Sequence, residues 1–263
     1  MRRSIITFIT DFGTKDGYVG VMKGVILKIN PDVRFIDISH EISAQDILEA
    51  SFVLKNSYDY FPDRSIHLVV VDPGVGSKRQ AVAIEGENHF FIGPDNGVFS
   101  FIYEIGRIRR VVRLNNNRYF LSNISNTFHG RDIFAPVAAY LSLGTPLEDF
   151  GPVCKDLIQV SLPQPEVEEG IITGTIIHID RFGNLISNIS EVLFTESIGR
   201  DKYTIWIGDQ MIDEVQDSYC EVKQGEILAI FGSSGYLEIS KRDQNAKALL
   251  GLNKGSEIRI LLK

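Results

Sequence analysis

Cysteine is nearly missing from this chain of 263 residues: Cys154 and Cys220 are the only two, far apart and without a C-x-x-C spacing. That excludes a disulfide framework and a cysteine-built zinc site, and two packed thiols in a reducing compartment are the expectation. Long apolar runs are missing as well. The longest, Ile66 to Val71, covers about six residues against the roughly 20 that span a bilayer, so no membrane contact is predicted. An excess of positive charge is also absent, since 27 Lys plus Arg stand against 34 Asp plus Glu for a formal net charge of −7. The basic patch at Arg107, Arg109, Arg110 and Arg113 is short and interrupted by β-branched residues, so nucleic acid is not expected as a partner. Met1-Arg2-Arg3-Ser4 leads into an apolar stretch that ends at Asp11 without a small-residue cleavage site. It is read as the approach to a first strand, and the chain is expected in the cytoplasm.

Hydrophobic residues make up 44% of the chain, enough to bury a core without covalent staples. Up to about residue 160 the patterns alternate between strand and helix, which predicts an α/β sheet domain of parallel strands with helices on both faces. Strands are predicted at Ser4 to Thr10, Val33 to Ser39, His67 to Val71, Ala81 to Glu85 and His89 to Ile92, with a turn at residues 93–97. Helices are predicted at Tyr18 to Ile29, from a capping box at Ser43 and Asp46 through Tyr60, and from a cap at Asp132 through Leu143. Cys154 to Gly170, with Pro163, Pro165 and three glutamates, reads as a linker. Short alternating runs follow at Ile171 to Ile179, Lys202 to Ile207, Glu226 to Phe231 and Glu257 to Leu262. They predict a smaller antiparallel β-barrel domain, giving domains at 1–162 and 163–263.

Ligands of open α/β sheets bind beyond the carboxyl ends of the strands. Polar residues recur there: Thr10-Asp11, Ser39-His40 and Asp72. The loop from Asp72 to Arg79 is glycine-rich but lacks the spacing of the phosphate-binding loops, so its glycines are expected to let backbone approach a ligand. Asp72 and Arg79 read equally well as a structural ion pair. His129, directly before the helix of Asp132, shifts the balance towards a site. His67 and His89 are expected to be packing residues, and His178 and Asp180 to share a strand face. A metal site from Asp11, His40, Asp72 and His129 has no H-E-x-x-H, H-x-H or D-x-D spacing behind it, so no metal or cofactor is expected.

Six motifs together carry a resemblance: Thr10-Asp11-Phe12-Gly13 with Asp16-Gly17-Tyr18-Val19-Gly20; Asp72-Pro73-Gly74-Val75-Gly76 with Arg79; Gly93-Pro94-Asp95-Asn96-Gly97; Thr127-Phe128-His129-Gly130-Arg131-Asp132; Asp180-Arg181-Phe182-Gly183-Asn184-Leu185; and Gly235-Tyr236-Leu237-Glu238-Ile239. In this order they resemble the S-adenosylmethionine (SAM) hydrolase family, also called SAM hydroxide adenosyltransferases, related to the SAM-dependent fluorinase and chlorinase. The resemblance implies an amino-terminal α/β domain, a carboxy-terminal β-barrel domain, and a homotrimer with active sites between neighbouring subunits. It implies hydrolysis of SAM to adenosine and L-methionine by attack of water or hydroxide at the ribose C5′, without a cofactor. Asp72, Arg79 and His129 match the family's catalytic set, and Asp11 the carboxylate that holds the ribose hydroxyls. Asp16 and Asp180 match groups at the methionine end, Phe182 and Asn184 groups around adenine, and Phe128, Ser233, Tyr236 and Glu238 further substrate contacts. The halogenases have Tyr in place of Asp72, and the fluorinase has Ser in place of Gly130. An anionic Asp72 repels halide, which favours water. With a guanidinium beside it, Asp72 is expected to orient Arg79 rather than to take the proton. The competing readings are a SAM-dependent halogenase, a metal-dependent hydrolase and a non-catalytic SAM or adenosine binder.

Overall fold

The parity of the buried residues shows how the first sheet is covered. In β1 (Ser4–Thr10), Ile6 and Phe8 point into one apolar cluster while Ile9 points into another. A strand buried on both faces must lie between two helical layers. The structure, a computed structural model, describes residues 3–199 and 201–263; Met1 and Arg2, where the approach to the first strand was expected, and Arg200 lie outside them. It divides into two units, Met1–Val160 and Ser161–Lys263.

In the first unit, α1 (Tyr18–Ile29) and β2 (Val33–Ser39) have the predicted bounds. They are followed by α2 (Ile47–Lys55), β3 (Ile66–Val70), β4 (Ala81–Gly86), β5 (Phe90–Pro94), α3 (Ser100–Glu104), β6 (Ile108–Arg113) and α4 (Ala135–Ser142). The strand order is β2-β1-β3-β5-β4-β6. The first four are parallel, but β4 runs antiparallel to both β5 and β6, so the sheet is mixed and not wholly parallel as predicted. Short connections from β4 to β5 leave no room for a crossover helix, which forces that reversal. Met22 and Ile26 of α1 and Val137 and Ala138 of α4 fill one face; Ala50 and Leu54 of α2 and Phe101 and Ile102 of α3 fill the other. The β1–β2 register slips between Phe8 and Ile9, which pair with Asp37 and Ser39, so Ile38 is an extra residue in β2.

Several local predictions change. The cap of α2 is Asp46, not Ser43: Asp46 is extended and its carboxylate accepts the Glu49 N–H at 2.9 Å, while the Ser43 carbonyl accepts the Asp46 N–H one turn earlier. That helix stops at Lys55 because Asn56 and Ser57 bond back to the Phe52 and Val53 carbonyls, and Tyr58–Tyr60 is a separate tight turn. Gly93 and Pro94 end β5 and only then does the turn begin. The basic patch is strand β6. Nor is Cys154 to Gly170 free of structure: Ile158 N bonds Asp95 and Val160 N bonds Ser100, and Glu166–Glu168 is a strand.

The second unit contains β7 (Glu166–Glu168), β8 (Ile171–Ile179), β9 (Leu185–Ser190), α5 (Glu191–Ile198), β10 (Tyr203–Ile207), β11 (Gln210–Ile212), β12 (Val215–Gln216), β13 (Ile227–Phe231), β14 (Tyr236–Lys241), α6 (Ala246–Leu250) and β15 (Glu257–Leu262). The order β11-β10-β15-β8-β9-β14-β13-β12, with β7 on β8, makes a nearly closed, barrel-like sheet around Ile176, Leu185, Ile205, Leu237 and Ile258. Its ladder is antiparallel except where β12 joins β13.

Candidate active site

At the carboxyl end of β3, Asp72 and Arg79 form the ion pair that the sequence left open, and they form it at the mouth of a cavity. Arg79 Nε donates to Asp72 Oδ1 at 2.9 Å, and an Nη donates to Oδ2 as well, a two-pronged clasp between side chains both less than a tenth exposed. The same Nη lies 2.8 Å from His129 Nδ1. Arg79 also lies over the buried ring of Phe134, its guanidinium carbon 5.3 Å from the centroid.

A guanidinium only donates, so His129 Nδ1 must accept, and the ring proton of neutral His129 sits on Nε2. Burial and the Arg79 charge hold the His129 imidazole below its ordinary value of 6.5, with Asp72 and Asp132 pulling the other way. Neutral His129 therefore presents one N–H donor. The backbone puts it there by beginning the helix early: Gly130–Phe134 makes a single wide π turn ahead of α4, with His129 at its cap. Asp132 is not the cap. Fully buried, it accepts the Ser125 N–H at 2.7 Å and both prongs of Arg131, and so ties down the loop that delivers His129.

The cavity holds about 360 Å³ and is lined by Asp11, Asp72, Phe128 and His129, together with Phe12, Tyr18, Gln45 and Thr127. A recess beside His89 holds only about 10 Å³, about one water. Four sequence-predicted residues, Asp11, Asp72, Phe128 and His129, thus share one cavity, with Arg79 behind Asp72 and His129. Phe128 packs edge-on against both Phe12 and Tyr18, with centroids 5.8 and 5.2 Å away, making an aromatic wall. Tyr18 and Gln45 escaped the sequence reading. Tyr18 opens the predicted helix α1 and is 48% exposed; Gln45 has a left-handed backbone, φ 66°, and its N–H bonds Asp11 Oδ2 at 2.8 Å. Nothing in the residue type announces that strain. Asp16 lies exposed in the turn before α1 and is not among the cavity residues.

Gly76, φ 76°, lies where an added Cβ would overlap the Asn126 carbonyl oxygen, so loop packing by itself demands glycine there. His40 of the imagined metal set turns to Thr10 and Asp37, and among the described residues no three His, Cys, Asp or Glu side chains converge as metal ligands.

In the second unit Asp180 does not share a strand face with His178: β8 has ended, and Asp180 Oδ1 accepts the N–H groups of Phe182 and Asn184, each at 2.9 Å, while Oδ2 accepts the Asn184 side chain. That turn leaves Phe182 75% exposed and Asn184 buried. Glu238, buried in β14, accepts Tyr219 Oη and Ser240 Oγ, both at 2.6 Å. Burial, then the Glu238 carboxylate, push the Tyr219 phenol up. Ser233 lies exposed in the turn before β14, and Tyr236 is that strand's first residue.

The family model for the SAM hydroxide adenosyltransferase N-terminal domain matches residues 6–151, and that for the C-terminal domain residues 174–259. The (R)-S-adenosyl-L-methionine hydrolase of Methanocaldococcus jannaschii is 38% identical over 98% of this chain and 95% of its own. A fluorinase of Actinopolyspora mzabensis is 23% identical over 98% and 97%. The crystal structure of an uncharacterised conserved protein from Thermotoga maritima superposes with a TM-score of 0.91 at 37% identity, covering 97% of this chain and 99% of that one.

Proposed function

The chain belongs to the SAM hydroxide adenosyltransferase family, and on that premise we propose that it hydrolyses S-adenosyl-L-methionine to adenosine and L-methionine. One observation carries the reading: a clasped Asp72–Arg79 pair with a neutral histidine docked on it, facing a nucleoside-sized cavity whose other carboxylate is Asp11. The water oxygen forms a bond to the ribose C5′ as the C5′–S bond breaks. Its electron pair goes to sulfur, which becomes the neutral thioether of methionine, and one water proton is released. The sulfonium leaves readily, so the protein's work is to align water opposite sulfur and to exclude other solvent.

Arg79 and the Nε2–H of His129 supply donors that fix the water oxygen, and Asp72 holds Arg79 in place. Asp11 accepts from the ribose hydroxyls and the wall of Phe128 lies along the nucleoside. Substrate-binding roles for Asp16, Asp180, Phe182, Asn184, Ser233, Tyr236 and Glu238 are proposed from the resemblance, and a raised KM in the single alanine variants tests each. The reaction uses neither metal nor cofactor, so exhaustive chelation leaves it unchanged. Asp72 favours water over halide, and identity to the hydrolase above that to the fluorinase agrees. We propose further that the protein works in the cytoplasm, in keeping with its free thiols. A homotrimer with active sites between neighbouring subunits is proposed as the assembly; exposed Tyr18, Val21 and Leu27 on α1 offer it apolar surface, and light scattering tests it.

The deciding experiment incubates the protein with SAM in H₂¹⁸O and separates the products. Adenosine labelled at its 5′ oxygen, with unlabelled methionine, is the expected result. Bound SAM recovered intact sinks the reading in favour of a binder; a 5′-halogenated nucleoside on adding chloride or fluoride sinks it in favour of a halogenase.

A further inference from the structure

The turn that carries Asp11 is held from behind the cavity by a histidine with no part in the chemistry above. His40 follows β2 and is 7% exposed. Its Nδ1 lies 2.9 Å from the hydroxyl of Thr10, the residue before Asp11. That hydroxyl oxygen also accepts the N–H of Phe12 at 3.3 Å, and the carbonyl of His40 accepts the N–H of Gly13 at 2.7 Å. Asp11 is thus bracketed on both sides by residues tied to His40. The same stretch of chain reaches Asp11 directly at Gln45, whose N–H bonds its carboxylate.

Directions can be assigned to these bonds. His40 Nε2 lies 3.0 Å from Asp37 Oδ1, out of line for a full hydrogen bond, so the contact is chiefly electrostatic. A carboxylate beside Nε2 keeps the ring proton there and leaves Nδ1 as an acceptor. The Thr10 hydroxyl then donates to Nδ1 and keeps a lone pair for Phe12 N–H. Every polar atom of the Thr10 side chain, fully buried, has a use in this arrangement. Lys23 holds Asp37 at 2.6 Å and so anchors the far end.

We propose that His40 is a positioning residue for substrate binding: acting through Thr10 and Gly13, it sets the turn that aims the Asp11 carboxylate at the ribose hydroxyls. This rests on the hydrolase reading. Losing one such supporting bond misplaces Asp11 in the free enzyme and in the bound states alike, so the loss falls on KM and not on the chemical step.

The test compares T10V, H40L, H40N and the T10V/H40L double variant by steady-state kinetics on SAM and by calorimetric binding of adenosine, with a thermal melt to certify folding. T10V is nearly isosteric and keeps the fold should H40L fail to. Expected are KM and adenosine Kd raised about tenfold in T10V and H40L, kcat within about twofold, and the double variant no worse than the weaker-binding single. H40N, whose amide oxygen reaches the place of Nδ1, restores most of the loss. Unchanged KM and Kd in T10V, a fall in kcat alone, or H40N as impaired as H40L overturns the proposal while the hydrolase reading stands. A wild-type protein that binds adenosine but makes none sinks the hydrolase reading, and the Kd series still decides the role of His40. One that neither makes nor binds adenosine ends both.

Discussion

His129 meets the site as a neutral ring with Nδ1 occupied by Arg79 and a proton on Nε2. Because its pKa lies below the ordinary 6.5, protonation is confined to acid solution, and the added proton must displace the Arg79 contact. The kcat/KM profile should therefore be flat near pH 7 and fall on an acid limb whose midpoint is below 6.5, and H129A, which removes the donor, should lose that limb along with about 10²–10³ in rate. An acid limb centred at or above 6.5 would contradict the neutral, Arg-docked assignment. Gly76 makes a second residue-level prediction. A G76A variant meets both a left-handed backbone and the Asn126 carbonyl, so it should lose on the order of 1–3 kcal/mol in chemical denaturation. Gly130 is tighter than it looks: a Cβ there comes within 3.2 Å of Met22 Sδ and 3.3 Å of Phe128 and Val70. G130S alone should therefore lower hydrolase kcat without producing fluoride transfer, measured with and without added fluoride.

Among the elements, those with strong periodicity were legible and those shaped by side chain to backbone bonds were not. The bounds of β1, α1, β2, β8 and β15 follow from apolar spacing and from stops such as Asn30. The start of α2 and the π turn before α4 depend instead on which carboxylate reaches which N–H, a matter of tertiary geometry. Asp46 and Asp132 both sit near helix starts, yet one caps its own helix and the other braces an upstream loop. D46A should cost α2 about 1 kcal/mol and S43A close to nothing, read from urea melts. The short helix α3 and strand β6 are not legible: Ser100–Glu104 spans little more than one helical turn, and in Ile108–Arg113 the paired Arg109 and Arg110 and paired Val111 and Val112 break the alternation that marks a strand. The site was legible for the same reason that its motifs were: Asp11, Asp72 and His129 stand at strand and helix ends, where a polar residue is conspicuous. Gln45 was invisible because its contribution is a backbone N–H.

At the scale of the whole molecule, the feature that governs acid sensitivity lies in the first unit, where β3 and β5 begin. His67 and His89 are buried with Nε2 and Nδ1 3.3 Å apart, and Thr7 Oγ1 lies 2.8 Å from the other nitrogen of His67. Burial pushes the His67 imidazole down to about 3, and burial also lowers His89 against the pull of Asp59 and Asp63. The unfolded chain therefore binds these protons more readily than the folded one. Stability should be full above pH 6.5 and decline as pH falls from there towards 3. Far-UV circular dichroism during urea unfolding at pH 7, 6, 5 and 4 should record it, whereas emission from the single tryptophan, Trp206, reports on the second unit. H67F, which removes the His67 titration and leaves that of His89, should flatten much of the pH dependence.

The extra residue in β2 bears on how the chain tolerates insertions and deletions. The extra residue Ile38 falls between Asp37 and the bend at His40 just past the end of β2, and the carboxylate and the imidazole meet across it. Any apolar residue can fill the place of Ile38, but none can be left out. Its deletion would restore the ladder and turn His40 away from Thr10, carrying the following segment to Gln45 with it. At this one point a change in length is a heavier lesion than a change in side chain, because it reverses a strand end instead of trimming a contact.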